Sequence, residues 1–233
     1  TLAVPTVWLA LLQHLEETGQ RLSTLKRVVI GGSACPRAVM EKFEKVYGVE
    51  VIHAWGMTET SPLGSFATPT PEILGLSDEE QMEARLRTGR PFYTVDLNVK
   101  TDDGADAPRD GETAGSLFIR GPGVVQRYLK ADVEAADPDG WFDTGDVANM
   151  DAYGSIKITD RSKDVIKSGG EWISSIDLEN FAVAHPSVSE AAAVGVPHPK
   201  WDERPVLLVV CSPGKSATKE EVLAQIAEHV AKW

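Results

Sequence analysis

The stretch LKRVVIGGSACPRAVMEKFEKVYGVEVIHAWGMTET, residues 25–60, predicts a strand, a helix and a second strand in succession. The β-branched run at 25–30 ends at two glycines, which is typical of a buried strand followed by a tight turn. Pro36 begins a helix whose apolar residues share one face, and Gly48 ends it. The run at 49–55 is the second strand. Because a helix joins the two strands, the stretch predicts a parallel α/β unit.

Working outward, the chain divides into three parts that differ in pattern. An α/β unit is expected over residues 1–87. Short alternating runs between Gly, Pro and Asp clusters predict an antiparallel β segment over 88–160, in the form of a small barrel or sandwich. Residues 161–233 predict a small α+β C-terminal domain, in which Thr218 and Glu221 form a capping box at the start of the last helix.

The composition is that of a globular protein, with 233 residues of which 42% are hydrophobic and 25% are charged. The net charge of −12 disfavours nucleic acid and anionic lipid as partners. No run approaches the roughly 18 apolar residues that a membrane span needs. No secretory signal is visible, so a cytoplasmic location is expected. Cys35 and Cys211 have no metal-type spacing, which favours two reduced thiols over a disulfide.

The segment WGMTET at 55–60 follows the second strand, at the sheet edge where open α/β sheets bind ligands. Gly56 permits a sharp turn or a close approach of the backbone to a ligand. Thr58 offers a hydroxyl to a phosphate, Glu59 offers a hard oxygen to Mg²⁺, and Trp55 offers an aromatic face to a base. The alternative is a polar turn that caps a helix, and the spacing leaves both interpretations open.

A second candidate site lies in WFDTGDVANMDAYGSIKITDR, residues 141–161. The residues DAYG at 151–154 include an aspartate and a glycine, which favour a tight turn, and they predict a β-hairpin. If the runs on either side of this turn pair, Asp146 returns beside Arg161. A carboxylate and a guanidinium together can bind the two hydroxyls of a ribose. A structural ion pair is the alternative.

A basic cluster follows at once. Arg161, Lys163 and Lys167 lie within seven residues of an otherwise acidic chain, just before Gly169 and Gly170. The cluster fits a local site for phosphate or for developing negative charge, and the alternative is a solvated basic turn. The histidines at 53, 185, 198 and 229 have no metal-like arrangement and are expected in core, loop or surface positions.

Seven segments occur in order along the chain, at 31–33, 55–60, 89–91, 115–121, 143–146, 160–171 and 185–199. Together they resemble the adenylate-forming acyl-CoA synthetases, the superfamily shared with firefly luciferase and peptide-synthetase adenylation domains. The chain corresponds to the C-terminal half of that fold. The amino-acid sequences at 168–174 and 199–205 look most like those of the fatty-acid and medium-chain acyl-CoA ligases. Both chain ends fall inside helical patterns, which favours a piece of a longer protein over a complete one with ragged termini.

The resemblance implies a two-step reaction. A carboxylate attacks the α-phosphate of ATP to give acyl-AMP and pyrophosphate, and the thiol of CoA then attacks acyl-AMP to give a thioester and AMP. The implied nucleotide-binding residues are Gly31, Gly32, Ser33, Trp55, Gly56, Asp146 and Arg161. The implied catalytic residues are Thr58, Glu59 and Lys167, with Glu59 holding Mg²⁺. A hinge is implied at Lys163, and a loop on the CoA side at Gly169 and Gly170. Trp55 stands where a tyrosine is common in the family.

The chain departs from the family in two respects. The Ser/Thr/Gly-rich phosphate loop and the lysine that drives adenylate formation are both absent from the sequence. We therefore predict that this chain alone does not make acyl-CoA at a useful rate, although it retains weak affinity for AMP. Two alternatives stay open, namely a carrier-protein acceptor in place of CoA and a non-catalytic nucleotide-binding fragment. The oligomeric state and the acyl chain length are not set by the sequence.

Overall fold

The computed structural model describes residues 1–227 and 229–230, and these form two compact units. The first unit comprises Thr1–Thr144 and Ala148–Ile158. The second comprises Gly145–Val147 and the chain from Thr159 onward. The continuous part of the second unit begins at Thr159, next to the predicted domain boundary at 160. The interpretation of this unit as a mobile domain stays a prediction.

A five-stranded sheet opens the first unit. Its strands are, in spatial order, β1 (Leu2–Ala3), β2 (Arg27–Ile30), β3 (Glu50–Trp55), β4 (Ser65–Phe66) and β5 (Arg90–Pro91). The first three strands are parallel, and β4 and β5 each pair antiparallel to their predecessor. The predicted strand–helix–strand unit is confirmed, with Ile30 opposite His53 in the register. The carboxyl ends of β2 and β3 therefore meet at one edge of the sheet.

Four helices belong to this part of the chain: α1 (Pro5–Thr18), α2 (Arg37–Glu41), α3 (Pro71–Leu74) and α4 (Asp78–Leu86). The single helix predicted after Pro36 is α2 continued by a π-helical turn, Lys42–Val46. Phe43 of that turn is fully buried and meets Trp8 of α1 edge to face, with ring centroids 5.6 Å apart. Removing such a ring costs about 3–5 kcal/mol, so this contact is a major part of the first core.

The antiparallel segment forms a four-stranded sheet in the order β6 (Asp96–Lys100), β7 (Gly115–Arg120), β8 (Phe142–Met150) and β9 (Ile156–Arg161). Leu117 and Ile119 are fully buried and pack with Trp55 and Phe142 in a second core. The hairpin between β8 and β9 is as predicted, and Asp151 accepts hydrogen bonds from the turn amides. The barrel-like description of this segment stays a prediction.

The second unit contains an antiparallel sheet in the order β11 (Glu171–Ile173), β10 (Ile166–Ser168), β13 (Asp202–Cys211) and β12 (Val188–His198). Helices α5 (Ser175–Val183) and α6 (Lys219–Ala227) pack on it through a core that includes Ile166, Leu178 and Val222. The Thr218–Glu221 capping box is confirmed, since each backbone amide donates to the other side chain. The α+β character predicted for 161–233 is observed in the described part of that range.

Within residues 1–227 and 229–230, none of the helices combines the length and the apolar content that crossing a bilayer demands. Both cysteines are free thiols, as predicted.

Candidate functional site

The turn that follows β3, residues 56–61, is tightly built, and we call it the acidic turn. Thr58–Thr60 forms a single turn of 3₁₀ helix, and Thr60 exchanges hydrogen bonds with the backbone of Met57. A Cβ at Gly56 would overlap the carbonyl oxygen of Pro62 and lie 2.7 Å from Leu63 Cα. Glycine is therefore required at 56 by the protein's own backbone, whether or not a ligand also approaches there.

A second segment, residues 121–129, lies against the acidic turn, and we call it the strap. The amide of Val125 donates to the carbonyl of Glu59 at 2.8 Å, and the hydroxyl of Ser61 donates to the carbonyl of Gly123 at 2.8 Å. The phenol of Tyr128 donates to Glu59 Oε1 at 3.0 Å. The two segments line a cavity of about 420 Å³, and Thr58 of the acidic turn is one of the lining residues. Sequence reasoning missed the strap because it lies more than 60 residues from the turn along the chain.

The donor set of this cavity fits one loosely held magnesium ion. No cluster of three or more His, Cys, Asp or Glu side chains suited to a metal occurs among residues 1–227 and 229–230. Mg²⁺ does not need such a cage, because it is usually bound by one or two carboxylates together with waters and substrate phosphates. Within the same part of the chain, Oε2 of Glu59 receives no hydrogen bond, so this oxygen is available as a ligand.

The other candidates in the first unit lie near the same sheet edge. Gly31, Gly32 and Ser33 follow β2, and a Cβ at Gly31 would lie 3.0 Å from the carbonyl oxygen of Ala54 on β3. Trp55 is only 8% exposed, and a Cβ at Gly64 would overlap the six-membered part of its ring. The indole is thus part of the second core. Its proposed contact with a base stays a prediction.

His53 lies on β3, next to this edge. It is buried, which is one of the positions expected for the histidines. Its Nδ1 donates to the carbonyl of Leu86 at 2.8 Å, because a carbonyl can only accept. Nε2 has no hydrogen-bond partner in the described part of the chain. Burial lowers the pKa of His53 below its ordinary value of 6.5, so the ring is neutral near pH 7.

In the second unit, Asp146 and Arg161 meet as the hairpin predicts. Arg161 Nη1 lies 2.9 Å from Asp146 Oδ1, with 54% of the arginine side chain exposed and 3% of the aspartate. The backbone supports this pair, because the amide of Ser162 donates to the carbonyl of Gly145. The juxtaposition is confirmed. Its use as a ribose clamp rather than a structural ion pair stays a prediction.

Asp160, which the sequence did not single out as a site residue, fixes the chain beside Arg161. It is 1% exposed and accepts from the amide of Arg161 at 2.7 Å and from the amide of Ser175 at 2.6 Å. Its carboxylate therefore connects the end of β9 to the first turn of α5. No sequence pattern predicts this role, because Ser175 lies 15 positions away along the chain.

The basic cluster separates into a turn and a hairpin. Lys163 is exposed in the turn between β9 and β10. Lys167 lies on β10 with its Nζ 4.5 Å from the ring centroid of Trp172 on β11. Gly169 and Gly170 form the two-residue loop between these strands, with φ of 62° and 88°, which suits a type I′ turn. The loop expected at Gly169 and Gly170 is therefore the turn of a β-hairpin, and its place on the CoA side stays a prediction.

The candidate residues thus fall into two groups, each on one unit. The first unit carries Gly31, Gly32, Ser33, Trp55, Gly56, Thr58 and Glu59. The second unit carries Asp146, Arg161, Lys163, Lys167, Gly169 and Gly170.

Two family profiles match the sequence. The one described as AMP-binding enzyme matches residues 1–129, and the one described as AMP-binding enzyme C-terminal domain matches residues 177–233. Over 232 residues the chain is 49% identical to the 3-methylmercaptopropionyl-CoA ligase of Ruegeria lacuscaerulensis, which covers 100% of this chain and 43% of the relative. It is 47% identical to the medium-chain-fatty-acid–CoA ligase of Ectopseudomonas oleovorans, over 100% of this chain and 42% of the relative. The chain spans less than half the length of these relatives.

Solved structures agree in fold. The o-succinylbenzoate CoA synthetase of Bacillus subtilis, in complex with its acyl-adenylate intermediate, superposes with a TM-score of 0.82 at 28% identity, covering 99% of this chain and 44% of that one. An amide bond synthetase of Marinactinospora thermotolerans superposes with a TM-score of 0.82 at 27% identity, over 98% of this chain and 45% of that one. A partial synthetase-like fold is therefore confirmed.

Proposed function

The chain belongs to the AMP-binding enzyme family, and from this premise we propose that it is part of an ATP-dependent acid–CoA ligase. The observation that carries the proposal is the Asp146–Arg161 pair, in which a buried carboxylate is held 2.9 Å from a half-exposed guanidinium. A carboxylate accepts from sugar hydroxyls and a guanidinium donates to their oxygens, so the pair suits the ribose of ATP and AMP.

In the first step a substrate carboxylate attacks the α-phosphorus of ATP. A new carboxyl–phosphate bond forms, and pyrophosphate leaves with the electrons of the broken phosphate bond. Thr58 contacts a phosphate through its hydroxyl and amide. Glu59 holds Mg²⁺, which supplies positive charge against the phosphate oxygens when it is bound. The loop of Gly31, Gly32 and Ser33 lies along the adenine.

In the second step the thiol of CoA gives its proton to solvent and attacks the acyl carbonyl of acyl-AMP. The thioester bond forms, and AMP leaves as the broken bond's electrons pass to its phosphate. Lys167 with Gly169 and Gly170 presents the face used in this step. The hairpin turn at the two glycines has no side chains, so an extended thiol arm can lie close to its backbone. Lys163 is proposed as the hinge between the two half-reactions.

The substrate class is proposed from the relatives' names. The relatives at 47–49% identity are ligases of medium-chain and long-chain fatty acids and of 3-methylmercaptopropionate. A linear aliphatic carboxylate of fatty or medium chain length is accordingly the substrate that we propose for the full-length protein, with ATP and CoA as co-substrates.

The test compares the full-length protein that contains this sequence with the isolated chain. Carboxylate-dependent ATP–pyrophosphate exchange is measured for both, over a panel of linear acids of increasing length. We expect exchange by the full-length protein and none above background by the isolated chain, which lacks the phosphate loop and the adenylating lysine. Absence of exchange with every acid in the full-length protein would overturn the ligase proposal. Robust exchange by the isolated chain would overturn the prediction that it is inactive.

A further inference from the structure

The position of Glu59 is set by contacts from a distant segment as well as by its own turn. The strap binds the acidic turn through the amide of Val125 and the carbonyl of Gly123, at 2.8 Å in each case. The first bond holds the backbone carbonyl of Glu59, and the second holds the side-chain hydroxyl of Ser61. They leave the orientation of the Glu59 side chain free, since neither involves its carboxylate.

The carboxylate itself is held by one further contact. Tyr128 Oη lies 3.0 Å from Glu59 Oε1. A hydrogen bond from a phenol to a carboxylate is charge-assisted and directional, so it favours the Glu59 rotamers that keep the contact. Tyr128 occupies one acceptor site of Oε1, so Oε2 is the oxygen whose acceptor sites are both free of hydrogen bonds from the described residues.

Tyr128 is not a core residue whose hydroxyl meets Glu59 only by chance of packing. Its side chain is 49% exposed, and it belongs to none of the three buried clusters of the described chain. The same cavity of about 420 Å³ is lined by Thr58, Glu59 and Tyr128. The Tyr128 hydroxyl therefore contacts Glu59 at the cavity and contributes little to the packing of the buried cores.

We infer that Tyr128 is a positioning residue that orients the Glu59 carboxylate for Mg²⁺. The inference rests on the proposed function, in which Glu59 holds the ion. Partners that hydrogen-bond to a metal ligand fix its orientation and tune its affinity for the metal. Tyr128 does the same for Glu59 from the strap, so the strap is a functional part of the nucleotide site in addition to the acidic turn.

The experiment uses the full-length protein and the substitution Tyr128→Phe, which keeps the ring and removes the hydroxyl. The Mg²⁺ dependence of ATP–pyrophosphate exchange is measured together with Mn²⁺ binding by electron paramagnetic resonance, in the presence of ATP and without carboxylate. We expect the half-saturating Mg²⁺ concentration and the Mn²⁺ dissociation constant to rise about 3- to 10-fold, below the range for partners of buried metal ligands because the site is exposed. The thermal midpoint stays unchanged.

Two further variants make the result decisive. Tyr153→Phe is the matched control, because Tyr153 is a 41% exposed tyrosine of the same unit whose phenol makes no hydrogen bond to the described residues. Glu59→Gln tests the premise, and Tyr128→Phe should have no additional effect on metal affinity in that background.

The outcomes separate the inference from its premise. If Glu59→Gln weakens metal binding and Tyr128→Phe does not, the inference is wrong and the proposed function stands. If neither changes metal binding, the proposed role of Glu59 fails as well. A loss of thermal stability in Tyr128→Phe with unchanged metal affinity would show a structural role only and would overturn the inference.

Discussion

Asp146 on β8 and Arg161 on β9 form an ion pair at the open end of one hairpin, with 2.9 Å between Oδ1 and Nη1. The two residues differ sharply in exposure, 3% for the aspartate and 54% for the arginine. The aspartate is therefore fixed by its surroundings, while the guanidinium can rearrange around a ligand. This asymmetry suits a binding pair better than two equally buried charges would.

We predict that Asp146→Asn weakens binding of AMP. Hydrogen bonds to a charged group contribute about 1.5–3 kcal/mol, so the dissociation constant for AMP should rise roughly 10- to 100-fold. Isothermal calorimetry of the full-length protein with AMP measures this directly. The control is Asp132→Asn, which removes one negative charge at an exposed residue outside the hairpin and should leave the affinity for AMP unchanged. Equal affinity in Asp146→Asn and the parent protein would leave the pair with a structural role alone.

Gly56→Ala should damage the fold of the acidic turn, because the added Cβ overlaps the backbone of Pro62. Overpacking of this kind typically costs about 1–3 kcal/mol, and the loss is measured by urea denaturation. The control is Gly75→Ala, since a Cβ at 75 would lie 3.4 Å from its nearest neighbour and its φ is −84°. That variant should fall within about 0.5 kcal/mol of the parent. Equal stability of Gly56→Ala would mean that the turn can move away from Pro62.

The local parts of the fold could be predicted because their causes are local. The turn at 151–154 and the capping box at Thr218 depend on neighbouring side chains that hydrogen-bond the backbone, and both are observed. The meeting of Asp146 with Arg161 followed from that turn. The pairing of Glu59 with Tyr128 could not be predicted, because the two residues lie 69 positions apart and no periodic pattern links them.

Short elements were missed for a different reason. Strands β4 and β5 have two residues each, too few for an alternating pattern, and they exist because neighbouring strands already form a sheet. Strands β10 and β11 have three residues each, which is also too short for a periodic pattern to predict. The π-helical turn at Lys42–Val46 has the apolar pattern of the α-helix that was predicted, so only the backbone distinguishes the two.

His53 should make the protein less stable in acid. Its pKa is lowered in the folded state by burial, so the unfolded chain takes up a proton at a higher pH than the folded chain does. The stability linked to His53 is complete above pH 6.5 and is lost as the pH falls through the folded-state pKa, with a limiting slope of about 1.4 kcal/mol per pH unit. Denaturant unfolding of His53→Asn from pH 7.5 downward should show a shallower decline. The control is His14→Asn, because His14 lies on the exposed face of α1, and its stability should decline with pH as that of the parent does. If the stability of His53→Asn declined as steeply as that of the parent, His53 would be ruled out as the cause of the acid sensitivity.

Cys35 should be the less reactive of the two thiols. Burial, and secondarily the Glu44 carboxylate, raises the pKa of Cys35 from 9.0 to about 12, whereas Cys211 is partly exposed. Iodoacetamide at pH 8 should therefore modify Cys211 first and Cys35 only on unfolding, which mass spectrometry of the two peptides detects. Stability linked to Cys35 is complete below pH 9 and is lost as the pH rises through about 12. Cys35→Ala should abolish that alkaline component, and rapid labelling of Cys35 in the native protein would contradict the assignment.

Strand β8 belongs to both units, since Gly145–Val147 groups with the later chain while its two ends group with the earlier one. A recombinant polypeptide that started at Thr159 would carry Arg161 without its anionic partner and would leave the amide of Ser162 without the carbonyl of Gly145. A polypeptide that ended at Thr144 would lack β9 of the second sheet. The C-terminal unit therefore cannot be excised intact by a single cut. A protease that cut the chain between β8 and β9 would leave the two pieces joined by the pairing of these strands, by the Ser162–Gly145 hydrogen bond and by the Asp146–Arg161 ion pair.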